Sequence, residues 1–364
     1  MNGLDWALPL LVCPSCREPF ALEVDGAEGD GVLSHPAGGC PERFPVIDGI
    51  PRLVRGGSRS ELVARHAPWF AASISRRELR DRWVAAGGTA NAVVRGFDYE
   101  WSRFRDVGTL DLKAIFAMYF DVVEGASFGT DRIVLDAGCG AGRWACEVAA
   151  RGPRVLAVDL GASVELARAS AGDDDRIACV QADLRELPVR AEAVDWAYSL
   201  GVLHHVEGAE QALARIVHAV KPGGEVLLYL YYALDQRGPL FRTLFRAVDA
   251  VRRLTSRAPR PVVYAVSLLV AGLVYWPLAR LSRVLTGLGL ERLASALPLS
   301  FYRDRSFAIM RNDSLDRFGT RLERRYSRAQ MAALLESAGG EAISFSTRPP
   351  YWHAVARRSG RMTA

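Results

Sequence analysis

Apolar positions along this chain follow two different spacings. Between residues 130 and 232, short apolar runs recur and each breaks at a polar or glycine-rich turn: Val134-Leu135 into Asp136, Arg154 to Val158 into Asp159, Ile177 to Gln181, Val194 to Ser199, and Glu225 to Tyr231. Such runs, bounded by turn signals, read as buried strands. Helical spacing separates them, with Trp144 to Arg151 as the crossover after the first. Strand and helix in alternation predict an α/β, doubly wound, mostly parallel sheet. Further on, Ser327 is placed to cap a helix over 328–338 and Gly339 to stop it. Two alternating runs, 342–347 and 351–356, joined by Arg348-Pro349-Pro350, then supply a closing strand pair.

The first strand runs directly into Asp136-Ala137-Gly138-Cys139-Gly140-Ala141-Gly142-Arg143. Glycines at 138, 140 and 142 allow positive φ and let the backbone approach a ligand closely. The spacing is GxGxG, and the acid at the strand end would repel a pyrophosphate but suits a cationic amino-acid moiety. Asp159 ends the second strand 23 positions later, the offset of an acid that accepts ribose hydroxyls. Taken singly, Asp136 reads equally well as a helix cap and Asp159 as a strand end. In chain order with Asp183, which follows the third strand, they point to one nucleotide cradle.

These residues resemble motif I and the following motifs of the class I S-adenosylmethionine (SAM)-dependent methyltransferases. The resemblance covers residues 130–232 and 322–358. It implies a seven-stranded Rossmann-like sheet and a SAM site built from Asp136, Gly138, Gly140, Gly142, Asp159, Leu160, Asp183, Leu184 and Leu200, with Asp183 near the adenine amino group. Leu200-Gly201-Val202-Leu203-His204-His205 lies where this fold presents acceptor-side residues. His205 is the candidate general base, His204 the competing one, and a packing role stands open for either. Cys139, Cys146 and Cys179 read as small packing residues.

Composition changes the picture at the start of the chain. Of six cysteines in 364 residues, three cluster early, as Cys13-Pro14-Ser15-Cys16 and Cys40, a pattern that suggests metal rather than disulfides. With Phe44-Pro45-Val46-Ile47-Asp48-Gly49-Ile50-Pro51 the segment resembles the zinc-ribbon domain related to the tRNA-methyltransferase activator family, whose second half is usually CxxCG. Here Ala37 stands where one cysteine belongs, and His35 is available as a nitrogen ligand. A Cys13, Cys16, His35, Cys40 zinc site, a degenerate ribbon without metal, and a different fourth ligand all remain open. In every case Phe44, Val46, Ile47 and Leu53 can form a small apolar patch. No cationic and apolar leader is read at the start, so a cytoplasmic location is expected.

These signals divide the chain into a zinc-ribbon-like domain (1–55), a helical linker forming a wall of the cofactor site (56–125), a methyltransferase core (126–232 and 322–358) and a helical lid inserted after strand 5 (233–321). The linker shows helical spacing at Leu62, Val63 and His66 and at Leu112, Ile115, Phe116 and Tyr119. Its Phe97-Asp98-Tyr99-Glu100-Trp101 resembles a signature upstream of motif I in ribbon-bearing methyltransferases, where aromatics wall the site. His66 and His218 read as solvated or packed side chains.

The lid is both basic and apolar. From Asp235 to Arg292 it holds ten arginines against three acids, a local charge of +7 in a chain of +5. Leu240, Phe241, Leu244, Phe245, Val248, Val251 and Leu254 recur at helical spacing among Arg242, Arg246, Arg252 and Arg253, which predicts a basic amphipathic helix. Val262 to Ala279 then carries no charge over eighteen residues, a length of about 27 Å as a helix. A single membrane crossing would separate strands of one sheet. The run is therefore a helix buried in the lid, a hairpin dipping into a membrane, or an anchor lying on an anionic membrane surface, and Gly272 and Pro277 would allow a bend. Tyr231, Tyr232, Tyr302, Arg303 and Arg311 are candidate pocket residues.

Three functions fit. The first is a SAM-dependent methyltransferase acting, most simply at oxygen, on an amphiphilic small molecule such as a lipid-linked glycan, isoprenoid or secondary metabolite. The second is an RNA methyltransferase, since a ribbon ahead of this fold also resembles rRNA guanine methyltransferases; interleaving of arginines with apolar runs makes nucleic acid the lesser candidate. The third is a non-catalytic cofactor-binding or activator protein, which the intact acid series disfavours. Oligomeric state is not legible.

Overall fold

The computed structural model describes residues 3–25, 29–35, 39–88, 95, 96, 98, 112–233, 238–348 and 353–360. They fall into two compact units, one drawn from residues 1–95, 113–233 and 324–364 and the other from 96–112 and 234–323.

The first unit is built on a single sheet. Its strands are β1 (Ala21–Val24), β2 (Gly31–Ser34), β3 (Phe44–Ile47), β4 (Ile50–Leu53), β5 (Ile133–Ala137), β6 (Arg154–Asp159), β7 (Ile177–Ala182), β8 (Trp196–Leu200), β9 (Glu225–Tyr229), β10 (Gly340–Phe345) and β11 (His353–Arg358). Their order is β1-β2-β3-β4-β7-β6-β5-β8-β9-β11-β10. From β4 to β9 neighbours are parallel, whereas β11 is antiparallel to both β9 and β10. The winding reverses between β5 and β8, the switch point at which open α/β sheets bind ligands. Helices cover this sheet, which is why Val134, Leu135, Val155 and Leu156 are fully buried and the strands read as continuous apolar runs.

The sheet has eleven strands, of which β7-β6-β5-β8-β9-β11-β10 are seven consecutive neighbours and β1 to β4 are added beyond β7. The strands of residues 1–55 join the sheet through β4, which lies parallel to β7 with Arg52 opposite Gln181 and Leu53 opposite Ala182. Phe44, Val46, Ile47 and Leu53 consequently share one core with Leu135 and Leu156. Pairing with β4 satisfies backbone groups that would otherwise line an open edge of β7.

Smaller differences have local causes. Val194 makes only an isolated bridge to Val220, because Asp195 turns its carboxylate to the Ile133 amide (2.7 Å) and to Lys221 (2.8 Å), and β8 starts at Trp196. At the helix Arg328–Ser337, the Ser327 hydroxyl accepts from the Gln330 amide and the Gln330 side chain accepts from the Ser327 amide, a complete capping box.

The second unit is helical, with Pro239–Thr255, Arg260–Val270, Trp276–Gly287, Glu291–Ala296 and Phe307–Gly319 as its main elements. Arg260 to Gly287 is one uninterrupted helix of 28 residues. Neither hairpin nor break occurs at Gly272 or Pro277; the turn Ala271–Tyr275 widens to π-helix instead. Pro277 has no amide hydrogen and its ring crowds the Leu273 carbonyl, and a wide turn relieves that clash. Of the helix's most apolar stretch, 28% is buried. Its inner face is narrow: Val263 packs on Leu315, Tyr275 and Ala279 pack on Met310, and Ser314 Oγ donates to the Ser267 carbonyl at 2.9 Å.

The basic amphipathic helix is partly turned inside out. Arg252 is buried, donating to the Thr320 carbonyl (2.9 Å) and pairing with Asp249 (2.7 Å), while Val251 and Leu254 face outward at 52% and 75% exposure. The Leu240, Phe241 and Leu244 side chains, Phe97, Tyr99, Glu100 and Trp101, Ala37, and Pro349 to Trp352 lie outside the described residues.

Candidate active site

Three acids stand at the ends of three adjacent parallel strands. Asp136 is the penultimate residue of β5, Asp159 ends β6 and Asp183 follows β7. The glycine turn folds back over β6: the Gly138 and Cys139 amides donate to the Val158 carbonyl at 2.8 and 3.0 Å, and the Gly140 amide to Asp159 Oδ2 at 2.9 Å. Glycine is required here by space as well as by φ. A Cβ at Gly138 (φ +91°) would come within 2.4 Å of Val202, and one at Gly142 (φ +80°) within 2.8 Å of Ala167.

Asp136 is 2% exposed and its Oδ2 has no hydrogen-bond partner. Burial pushes its pKa up to about 8, with the nearby Asp159 charge adding to the rise; Tyr198, opposite on β8, and Arg143 oppose it. The Tyr198 hydroxyl, itself without a partner, lies by the carboxyl without hydrogen-bond geometry. A buried, uncompensated carboxyl of this kind favours a cationic ligand, which would restore its charge.

Asp159 is half-buried and does two things. Besides Gly140 it accepts from the Gly161 amide at 2.8 Å, so it holds both loops that frame the cradle, and burial raises its pKa. Asp183 has a protein partner of its own. Arg185 grips its carboxylate (Nη2 to Oδ2 2.6 Å), and Oδ1 accepts from the Arg185 amide at 2.9 Å, capping the turn Leu184–Glu186. A ligand amino group would have to share that carboxylate. Leu184 is buried, and Leu160 and Leu200 are half-buried at the ends of β6 and β8.

Past β8, His204 is fully buried, with neither ring nitrogen hydrogen-bonded. Its ring stacks on Tyr231 at 3.9 Å, and burial, then His205 and Arg325, hold its pKa well below the ordinary value. His205, 7% exposed, meets Tyr231 edge-on at 5.7 Å. Tyr119 from the helix Leu112–Tyr119 packs against Trp144 and Tyr229, so linker aromatics do stand beside β9. Three further pocket candidates belong to the helical unit. Tyr302 donates to Asp313 Oδ2 (2.7 Å) within the core of the helical unit, Arg303 pairs with Glu291 (3.4 Å) and Asp304 (3.5 Å), and Arg311 lies half-buried on the helix Phe307–Gly319. His66 pairs with Glu165 at 3.0 Å.

Cys13, Cys16, His35 and Cys40 converge, their ligand atoms all within 4.8 Å of one another. Cys16 Sγ is 4.0 Å from His35 Nδ1 and 3.9 Å from Nε2. Three sulfurs and one imidazole at this spacing fit a tetrahedral zinc site, whose metal-ligand distances are about 2.0–2.3 Å.

Several residues at the site carried no sequence signal. Arg17, next to the Cys13-Cys16 knuckle, donates to the Leu187 and Val189 carbonyls at 2.7 Å each, in the loop after Asp183. Arg52, fully buried, donates to Gln181 Oε1 (3.0 Å) and Glu165 (3.1 Å), and Gln181 donates to the Leu160 carbonyl at 2.9 Å. The early strands thus brace the loops beyond both Asp159 and Asp183. A CPSCR arginine and an arginine inside an apolar strand are visible in the sequence, but their partners lie more than 100 residues away.

With this geometry in hand, comparison with known proteins identifies the segment. Residues 135–228 match the family model described as a methyltransferase domain. An uncharacterized methyltransferase of Mycobacterium bovis is 32% identical over 108 residues, 30% of this chain and 55% of that protein. A ubiquinone biosynthesis O-methyltransferase of Rickettsia canadensis is 34% identical over 97 residues, 26% of this chain and 41% of that protein. The chain thus spans about half the length of the curated relatives it matches. Among solved structures, a SAM-dependent methyltransferase from Thermotoga maritima aligns with 14% identity and a TM-score of 0.40, covering 73% of this chain and 100% of that one. The match spans β5 to β9, so the matched stretch holds the glycine turn, Asp159, Asp183, His204 and His205.

Proposed function

We propose that this protein is a SAM-dependent methyltransferase whose acceptor is an amphiphilic small molecule, methylated at oxygen. The observation that carries the cofactor reading is the buried Asp136 carboxyl with its unpartnered oxygen, under a glycine turn and beside Asp159. Asp136 would face the cationic amino-acid end of the cofactor, Gly138, Gly140 and Gly142 would leave room for its backbone-facing edge, and Asp159 would accept the ribose hydroxyls. Leu160, Leu184 and Leu200 would supply apolar contacts around the adenosine. When bound, SAM brings a methyl group already activated on a sulfonium, so the protein's remaining work is to position the acceptor and manage its proton.

For a hydroxyl acceptor, His205 is the base that takes that proton. His204, fully buried and held neutral against Tyr231, serves better as a wall that fixes the position of His205. Oxygen as the accepting atom is supported by the chemistry of a single histidine base and by the name of the Rickettsia relative. The knuckle Cys13, Cys16, His35 and Cys40 would hold zinc as a structural ion, because all four ligand positions are filled by protein.

The deciding experiment is calorimetric titration of SAM and S-adenosylhomocysteine into wild type and Asp136→Ala. Wild type should bind both. The variant should lose about 100-fold in affinity for SAM, about 2.7 kcal/mol. Unchanged affinity in a folded variant would remove the cofactor assignment. The acceptor would then be sought by mass spectrometry of lipid and metabolite extracts from a deletion strain, as species lighter by one methylene.

A further inference from the structure

The helix Arg260 to Gly287 has two unlike faces. Inward it presents Val263, Ser267, Ala271, Tyr275 and Ala279, all buried against the rest of the helical unit. Outward, at matching helical spacing, stand Val262 (49% exposed), Leu269 (59%), Leu273 (73%), Trp276 (39%) and Val284 (58%). An apolar stripe of this length is unusual on a protein surface without a partner. It continues beyond the helix into Leu288 and Leu293, at 68% and 53%.

Its setting selects the partner. At the C-terminal end the stripe meets arginines: Arg280 stacks on the Trp276 ring at 3.9 Å, and Arg283 follows at 64% side-chain exposure. Arg253, at 69%, and exposed Arg257 and Arg292 belong to the same unit, whose stretch from Asp235 to Arg292 carries +7. Apolar area flanked by arginines, with a tryptophan at the boundary, matches the interface of an anionic bilayer, where headgroups take the guanidinium groups and the acyl boundary takes the leucines. Nucleic acid would use the arginines and leave the leucines in water.

Orientation follows from the neighbouring helix. Phe307–Gly319 packs along the inner face and carries Arg311, Asn312, Asp313, Asp316 and Arg317. Were the long helix to cross the bilayer, these groups would enter hydrocarbon with it, at several kcal/mol for each unpaired charge. The long helix can only lie in the plane of the surface, its outer face down. We propose that the face Val262, Leu269, Leu273, Trp276 and Val284 of the helical unit docks this protein on an anionic lipid surface. The docking does not depend on the methyl-transfer reading and can fail or succeed without it.

The test uses the full chain and sedimentation with vesicles of phosphatidylcholine alone or of equimolar phosphatidylcholine and phosphatidylglycerol. Wild type should sediment with the mixed vesicles and much less with phosphatidylcholine. Leu269→Glu/Leu273→Glu should bind the mixed vesicles at least about tenfold more weakly, with its thermal midpoint unchanged because both side chains are solvent-facing. Equal sedimentation with both lipids, none with either, or undiminished binding by the folded double variant would overturn the proposal. So would sedimentation velocity showing a dimer that the double variant abolishes while wild type ignores vesicles, since the face would then belong to a second copy of the chain. Binding of a duplex RNA that outcompetes the mixed vesicles at the same site would overturn it as well.

Discussion

Among the described residues, the sheet unit exposes three large hydrophobic side chains, Val24, Ile74 and Val84, whereas the helical unit exposes fourteen, from Val251 to Phe301. The contrast is not one of composition, since both stretches are rich in Leu and Val. It lies in how each unit disposes of its apolar faces. A parallel sheet is covered on both sides by its own crossover helices, so every apolar run in it finds an internal partner. The long helix of the other unit buries only a narrow face, Val263, Ser267, Ala271, Tyr275 and Ala279, and leaves Leu269, Leu273, Trp276 and Val284 outside. An apolar stripe in a sequence therefore shows that a face will be covered, but not whether the chain itself covers it.

The sharpest way to break this comparison is to make matched changes in the two units. Leu135→Ala on β5 should destabilise by about 3 kcal/mol through the cavity it leaves, whereas Leu273→Glu should stay within about 0.5 kcal/mol because its side chain is already in water. Denaturant unfolding of each variant checks both; a Leu273→Glu cost equal to that of Leu135→Ala would mean that the outer face is core after all.

A second, smaller effect comes from Asp136. In the free protein its carboxyl holds a proton up to about pH 8, and a cationic ligand needs the carboxylate. SAM affinity should thus rise with pH, by up to about tenfold per unit, and level off near pH 8. For folding the sign is the reverse: the raised pKa means that the free protein binds more protons than the unfolded chain between 3.8 and about 8, so this group lowers stability as pH climbs through that window. Titrations in buffers of different ionisation heat read the released proton directly, and an affinity flat with pH would show Asp136 already ionised.

The smallest expected effect concerns the cluster of Cys13, Cys16, His35 and Cys40. Metal analysis should find one zinc per chain in wild type and a weakly held metal in His35→Ala. Its removal should also loosen SAM binding by a few-fold, because Arg17 ties the knuckle to the loop after Asp183. Retention of tightly bound zinc by His35→Ala would assign the fourth ligand elsewhere.

What was readable beforehand was local. The glycine turn, the acids at strand ends and the Ser327 cap each depend on residues a few positions apart, and each is present in the structure. What was not readable was set by partners far away or by competition nearby. The Arg52-Gln181 bond spans 129 residues. Asp183 is claimed by Arg185 two positions on, a pairing that a motif pattern does not weigh. Arg252 turned inward because the Thr320 carbonyl needed a donor, so a helical wheel that placed all arginines in water was wrong at that position.

The pairing of β4 with β7 has a consequence for anyone handling the later strands alone. A fragment beginning just ahead of Ile133 would keep the whole glycine turn, yet it would bare the backbone of β7 along Gln181 and Ala182 and strip Arg52 from its two partners. A bared flank of that kind recruits other chains. The short opening segment therefore shields that flank from the strands of other chains.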